Sequence, residues 1–181
     1  MKSLQTTLTE QGLCFVDVAD HPQHLSPTTY SSLMEAGLNA LVTPIQEQDS
    51  DTATFFQRFQ LEPHLGANCV IVEGQRGETR RLAACITLSA DRIDLNGAVR
   101  KSLDARKVKM APPEVLIQLD MESGGVSPFG LPAEWTLLVD PAVSQAEELI
   151  VGSGIRTSKL LVSGYSLSQI PGAKTCAITR Q

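Results

Sequence analysis

The sequence predicts an α+β domain built around a mixed sheet, and three observations lead there. Apolar runs of strand length outnumber the helical stretches, and they come in hairpin-like pairs. The helices that interrupt them fall at irregular intervals, unlike a regular βαβ array. No G-x-G-x-x-G leads from a strand into a helix and no P-loop is present, which removes the common nucleotide-binding folds. The 181 residues, 42% hydrophobic and 19% charged, suffice for one well-filled core.

Taken in order, Leu13–Val18 reads as a short strand, followed by a polar loop with His21, Pro22 and His24. Ser26-Pro27-Thr28 opens a helix through Tyr30, Leu33 and Met34 that stops at Gly37. Leu38–Ile45 is a strand ended near Pro44. A second helix starts at about Asp51, carries Phe55, Phe56 and Phe59 at core-facing spacing, and ends at Pro63. Asn68–Gly74 is apolar and β-branched, as a buried strand requires, and pairs with Arg81–Ser89 in a hairpin.

Asp94 is placed to cap a helix through Leu95, Val99 and Leu103, and Lys107–Met110 is extended. Pro112-Pro113 opens a helix through Val115, Leu116 and Leu119. Trp135–Asp140 is a strand, and Pro141 starts a short helix or turn. Glu148–Gly154 and Thr157–Gly164 are two more strands. A short helix around Leu167–Ile170 and a last strand, Ala173–Thr179, follow.

Composition limits the chemistry. No apolar run approaches about 20 residues and the start lacks the apolar stretch of a signal peptide, so a cytoplasmic, membrane-free protein is expected. Cys14, Cys69, Cys85 and Cys176 include no C-x-x-C pair and read as buried free thiols. With His21, His24 and His64 outside any ligand cluster, no metal and no cofactor are expected. The net charge of −5 argues against binding along DNA. Residues 91–110, however, carry +3 and leave −8 elsewhere. Arg100, Lys101, Lys107 and Lys109 are therefore either a solvated face or a local patch for a few phosphates. Aromatic content of 4% gives few platforms for stacking extended single strands.

Met121–Leu131, MESGGVSPFGL, is the most unusual stretch. Gly124 and Gly125 permit positive φ and close approach, and Pro128 biases Ser127 towards an extended backbone. The segment is either an ordinary turn or a loop with backbone N–H groups turned towards a negative oxygen.

From Lys107 on, the order KVKMAPPEVL, GGVSPFGLP, WTLLVD, LIVGSGIRTSKLLVSG closely resembles the YbaK/prolyl-tRNA synthetase-associated editing domain family. The resemblance extends over roughly Asp51 to Ala177. It implies a single domain with a mixed, mostly antiparallel, partly barrel-like sheet and surrounding helices. Residues 46–181 would form it, with residues 1–45 a variable N-terminal portion packed on it. It also implies a trans-acting deacylase that hydrolyses the ester of mischarged tRNA, assisted by water or by the substrate, without a dedicated protein nucleophile. The partners implied are the aminoacyl-tRNA acceptor end and an aminoacyl-tRNA synthetase.

By the same resemblance, Gly124 or Gly125 supplies the oxyanion donor. Asn68, Ser127, Pro128, Gly130, Asp140, Gly152, Ser153, Gly154 and Lys159 shape the substrate site. Arg100, Lys101, Lys107 and Lys109 would meet tRNA. The chain departs from the family at the first strand, where the position usually held by a substrate-anchoring lysine is Asn68. An amide donates hydrogen bonds but carries no charge. Lys101, Lys109 and Lys159 are the lysines that could compensate. The alternative is a catalytically weak or inactive module that binds an aminoacyl end or a small amino-acid-like ligand. A hydrolase of some other acyl group is a third reading.

Overall fold

A computed structural model of the chain describes residues 3–180. Nine strands form two sheets among those residues. The helices α1 (Leu4–Glu10), α2 (Pro27–Ala36), α3 (Thr52–Arg58), α4 (Arg100–Ser102), α5 (Glu114–Gln118), α6 (Pro141–Ser144) and α7 (Gly164–Ser168) surround them. The first sheet is antiparallel throughout, in the order β1 (Val16–Asp17), β2 (Leu41–Pro44), β8 (Ser158–Val162), β7 (Leu149–Gly152). The second runs β5 (Lys107–Met110), β3 (Ala67–Arg76), β4 (Thr79–Leu88), β6 (Thr136–Val139), β9 (Ala173–Thr175). In it β3 pairs antiparallel with β4 and β5, while β6 lies parallel to β4 and β9. A bridge between Gly66 and Ile150 joins the two sheets where β3 begins.

Strand alternation sorts the side chains into three layers. Ile71, Ile86, Val139, Val42, Leu160 and Val162 fill the layer between the sheets, with Leu33 of α2 and Phe129 of the glycine loop. The neighbouring strand positions Ile150 and Leu161 face outwards under Leu4, Leu8, Phe55 and Phe56. On the outer side of the second sheet, Val72, Cys85 and Leu138 pack under Val99, Leu103 and Ile178. Both faces of β3 are thus covered, which explains its near-continuous apolar run.

Helix boundaries follow their caps. Ser26 and Asp51 accept the N–H groups of Thr29 and Thr54, and Gly37 closes α2 in the left-handed region at φ 60°. Several expectations need correction. The strand expected over Leu13–Val18 is only Val16–Asp17, because Leu13 instead packs under the α1 side chains. Helix α1 itself has no counterpart in the sequence reading. Asp94 does cap, accepting from Gly97 and Ala98, but Leu95–Val99 is a π-helical turn that only then becomes α4. The last helix is Gly164–Ser168, set by the cap at Ser163, not Leu167–Ile170. Of the four cysteines expected to be buried only Cys85 is fully so, Cys69 and Cys176 being half-buried and Cys14 exposed, and all four thiols are free.

Residues 3–45 are part of the fold's fabric. Strand β2 is interior to the first sheet and α1 covers that sheet's outer face. Met1, Lys2 and Gln181 of the two expected portions lie outside the described residues.

Candidate functional site

The glycine loop is zipped to the end of β7. Gly154 N–H donates to Gly125 O at 2.7 Å, and Glu122 N–H donates to Gly154 O at 2.8 Å. Bulk is forbidden there. A Cβ on Gly125 would lie 2.4 Å from Ile155 O, and one on Gly152 would lie 2.2 Å from Val126 O. Gly124 has φ +90°, a conformation that side chains disfavour. The N–H groups of the two glycines are used differently. That of Gly125 closes a turn onto Glu122 O at 2.9 Å. That of Gly124 has no acceptor among the described residues, and Gly124 lines a cavity.

The cavity holds about 1200 Å³ and opens to solvent between the glycine loop, the start of β3 and α3. Apolar Phe56, Leu61, Ala67 and Val70 line part of it, and Ser50, Asp51, Asn68, Ser123, Arg156 and Lys159 bring polar groups. Asn68 accepts from Thr52 Oγ1 at 2.9 Å. Lys159, 3% exposed, donates to Ser50 O at 2.5 Å. The turn that caps α3 therefore holds both side chains. Burial pulls the Lys159 amine down to about 8, against the pull of the nearby Asp51 carboxylate. The N–H of Thr54 holds the Asp51 carboxyl below its usual range.

Arg156 braces the rim. Its N–H donates to Glu122 Oε2 at 2.6 Å, and its guanidinium reaches Glu47 Oε1 and Ser123 O, both at 3.1 Å. Cys69 also lines the cavity, but burial pushes its thiol pKa up and away from the reactive thiolate.

Of the residues expected at the site, Asn68, Gly124, Gly152 and Lys159 line the cavity. Gly125, Ser153 and Gly154 stand behind it as support. Ser153 Oγ bonds Ser158 Oγ at 2.7 Å in a buried hydroxyl pair. The others lie elsewhere. Ser127 is fully buried and accepts from Phe129 N–H at 3.1 Å, next to the buried Pro128. Gly130 lines a separate shallow hollow beside Thr28. The Asp140 carboxylate caps α6 and ties down the C-terminal segment, accepting from Ala142 N–H at 3.1 Å and Ile178 N–H at 3.1 Å.

Arg100, Lys101, Lys107 and Lys109 are exposed and stand away from the cavity lining. Strand β5 pairs with the far half of β3. Among the described residues no group of His, Cys, Asp or Glu is arranged to hold a metal, and no helix is long and apolar enough to cross a membrane.

The sequence reading missed Arg156 and the Ser50–Thr52 turn. An arginine directly after the G-S-G-I end of one strand and before the next was the available signal for the first. For the second there was only the capping pattern at Asp51.

Comparison with known proteins agrees on the fold. The family model of the aminoacyl-tRNA editing domain matches residues 47–170. The crystal structure of a hypothetical protein superposes with a TM-score of 0.73 at 18% identity, over 84% of this chain and 99% of that one. A protein described as a candidate trans-editing enzyme for prolyl tRNA synthetase superposes with a TM-score of 0.71 at 18% identity, over 87% and 99%. Among curated proteins no sequence matches.

Proposed function

Because the chain belongs to the aminoacyl-tRNA editing domain family, we propose that it is a trans-acting deacylase of the cytoplasm that hydrolyses the ester of mischarged tRNA. The observation that carries this reading is that Gly124, whose N–H has no acceptor among the described residues, lines a cavity of about 1200 Å³, room enough for an aminoacyl-adenosine end. Water adds to the ester carbonyl, and the oxygen gains negative charge. A fixed N–H at that point lowers the barrier by about 3 kcal/mol. Collapse breaks the bond to the ribose oxygen, which leaves with one proton of the attacking water, and the amino acid departs as its carboxylate, the second proton passing to solvent.

No protein nucleophile enters. The Ser127 hydroxyl is buried away from the cavity and the Cys69 thiol is held protonated. Asn68, already oriented by Thr52, is suited to hold a ribose hydroxyl through its amide N–H groups.

The tRNA body would rest on the far end of the second sheet. There Arg76, Arg80, Arg81, Arg100, Lys101, Arg106, Lys107 and Lys109 are all exposed, against Glu73, Glu78 and Asp104. This end carries +5 in a chain of net −5. Arg76 lies eight residues along β3 from Asn68, about 27 Å at strand rise. That separates the reacting end from phosphates further along the acceptor arm. An aminoacyl-tRNA synthetase is the second partner we propose.

The test is a panel of charged tRNAs, with wild type and Gly125→Val. Ester loss above background with wild type, removed by the valine because Ile155 O leaves it no room, is the expected result. No loss for any tRNA with folded wild type would overturn the reading. A second reading, a binding module without turnover, is favoured by the uncharged Asn68. It predicts thermal shifts with aminoacyl ends and no hydrolysis.

A further inference from the structure

We propose that Lys159 is the catalytic cation of this site, its ammonium binding the ester carbonyl oxygen as that atom becomes the oxyanion, together with the Gly124 N–H. The proposal rests on the deacylase reading and assigns the charge that Asn68 does not provide.

The register of β7 and β8 places the lysine. Lys159 is directly opposite Gly152, and paired residues project from the same face. On that face a Cβ at Gly152 would run into Val126 O and Gly125 O. The glycine loop therefore crosses the sheet at Gly152, and the lysine side chain rises beside it. One of the three ammonium N–H groups goes to Ser50 O at 2.5 Å. The other two have no protein acceptor among the described residues, and no carboxylate there forms an ion pair with the amine.

A charge that is 3% exposed, attracted by Asp51 but in no ion pair with it among the described residues, is unfavourable unless something else satisfies it. Packing alone does not need it, since Leu161, two residues along the strand on the same face, is apolar and buried among apolar neighbours. An ester carbonyl gaining negative charge inside the cavity is the partner the amine lacks. Chemically the lysine remains an ammonium throughout. The bond formed is water oxygen to carbonyl carbon, the bond broken is carbonyl carbon to ribose oxygen, and the proton moves from water to ribose.

The charged groups that share the cavity are Asp51 at the start of α3, Glu62 after it, and Arg156 from the turn between β7 and β8. Asp51 favours the ammonium, and burial opposes it. The free site is therefore loaded with its cation below about pH 8.

The experiment compares wild type, Lys159→Met and Lys159→Arg on a hydrolysed aminoacyl-tRNA, and measures binding of an amide-linked aminoacyl-adenosine that cannot be hydrolysed. Lys159→Met is expected to lower kcat by about 100-fold, the scale of an oxyanion donor, with the amide ligand bound about as well as by wild type. The wild-type kcat/KM, corrected for spontaneous ester loss, should fall above about pH 8. Arginine, charged at every accessible pH, should keep part of the rate and remove that fall. If the methionine protein does not fold, the arginine profile decides, and a fall that persists in it overturns the proposal. A folded Lys159→Met with wild-type kcat overturns it as well, and leaves the deacylase reading standing. A wild type that hydrolyses no ester overturns both.

Discussion

At the scale of single residues, burial of the Lys159 amine works against folding. Its ordinary value of 10.5 is lowered to about 8 in the folded chain, so between those values the unfolded chain binds more protons. The destabilisation is complete below pH 8 and is relieved as pH rises to 10.5, a difference of about 3 kcal/mol. Two opposed outcomes follow. From pH 7.5 to 9.5 the melting temperature of wild type should rise relative to that of Lys159→Met, while its deacylation rate falls. The methionine protein should be at least as stable as wild type at pH 7, since it removes a charge whose burial outweighs the attraction of Asp51. Differential scanning calorimetry of the two proteins checks the sign. Greater stability of the lysine form at pH 7 would mean that the amine is a structural group.

Asp140 supplies the contrast. Its carboxylate satisfies three donors that do not line the cavity, Ala142 N–H, Ile178 N–H and the Thr179 hydroxyl. Asp140→Ala should cost about 1–3 kcal/mol of stability, read from a denaturant midpoint. The deacylation rate of the protein that remains folded should be unchanged.

At the scale of elements, the glycine loop, the end of β7 and the turn before α3 form one unit. Phe129 anchors the loop, 1% exposed in the layer between the sheets. Phe129→Ala should destabilise the fold by about 3–5 kcal/mol and slow catalysis in the folded fraction, because the Gly124 N–H loses its fixed direction. The β3–β4 hairpin makes a separable contribution. Arg81→Glu with Lys107→Glu should weaken binding of uncharged tRNA and flatten its salt dependence. Hydrolysis of an aminoacyl-adenosine fragment should be unaffected, since neither residue lines the cavity. Filter binding at several salt concentrations distinguishes the two effects.

Elements with local physical signals were legible from sequence. The Ser26 and Asp51 caps, the glycine stop at Gly37 and the β3–β4 hairpin all stand where patterning puts them. Helix α1 was not legible, because its seven residues are polar apart from Leu4 and Leu8, and tertiary packing on Phe55 and Ile150 stabilises it. The π-helical turn at Leu95 was hidden for the same reason, since Asp94 caps either kind of helix start.

At the scale of the whole molecule, the site is assembled from segments remote in sequence. Lys159 lies more than 90 residues from Asn68, and only the meeting of two sheets near Gly66 and Ile150 brings β8 and β3 to one cavity. That is why the loop stood out in the sequence as a motif, while Lys159 was one of three lysines that could compensate for Asn68. A motif can be read along the chain, but a cross-strand neighbour appears only with the register. The same register accounts for Asp140, expected at the substrate site, standing outside the cavity lining. It ends a strand next to the site in sequence order, yet β6 sits on the far side of β4 from β3.

The measurement that tests the central claim most directly is single-turnover ester loss from a panel of aminoacyl-tRNAs, with enzyme in excess and the spontaneous rate subtracted. For at least one charged tRNA, wild type should accelerate hydrolysis by about 100-fold or more over buffer, and Gly125→Val should abolish the acceleration. No acceleration for any member of the panel, by protein whose melting curve is cooperative, would contradict the account.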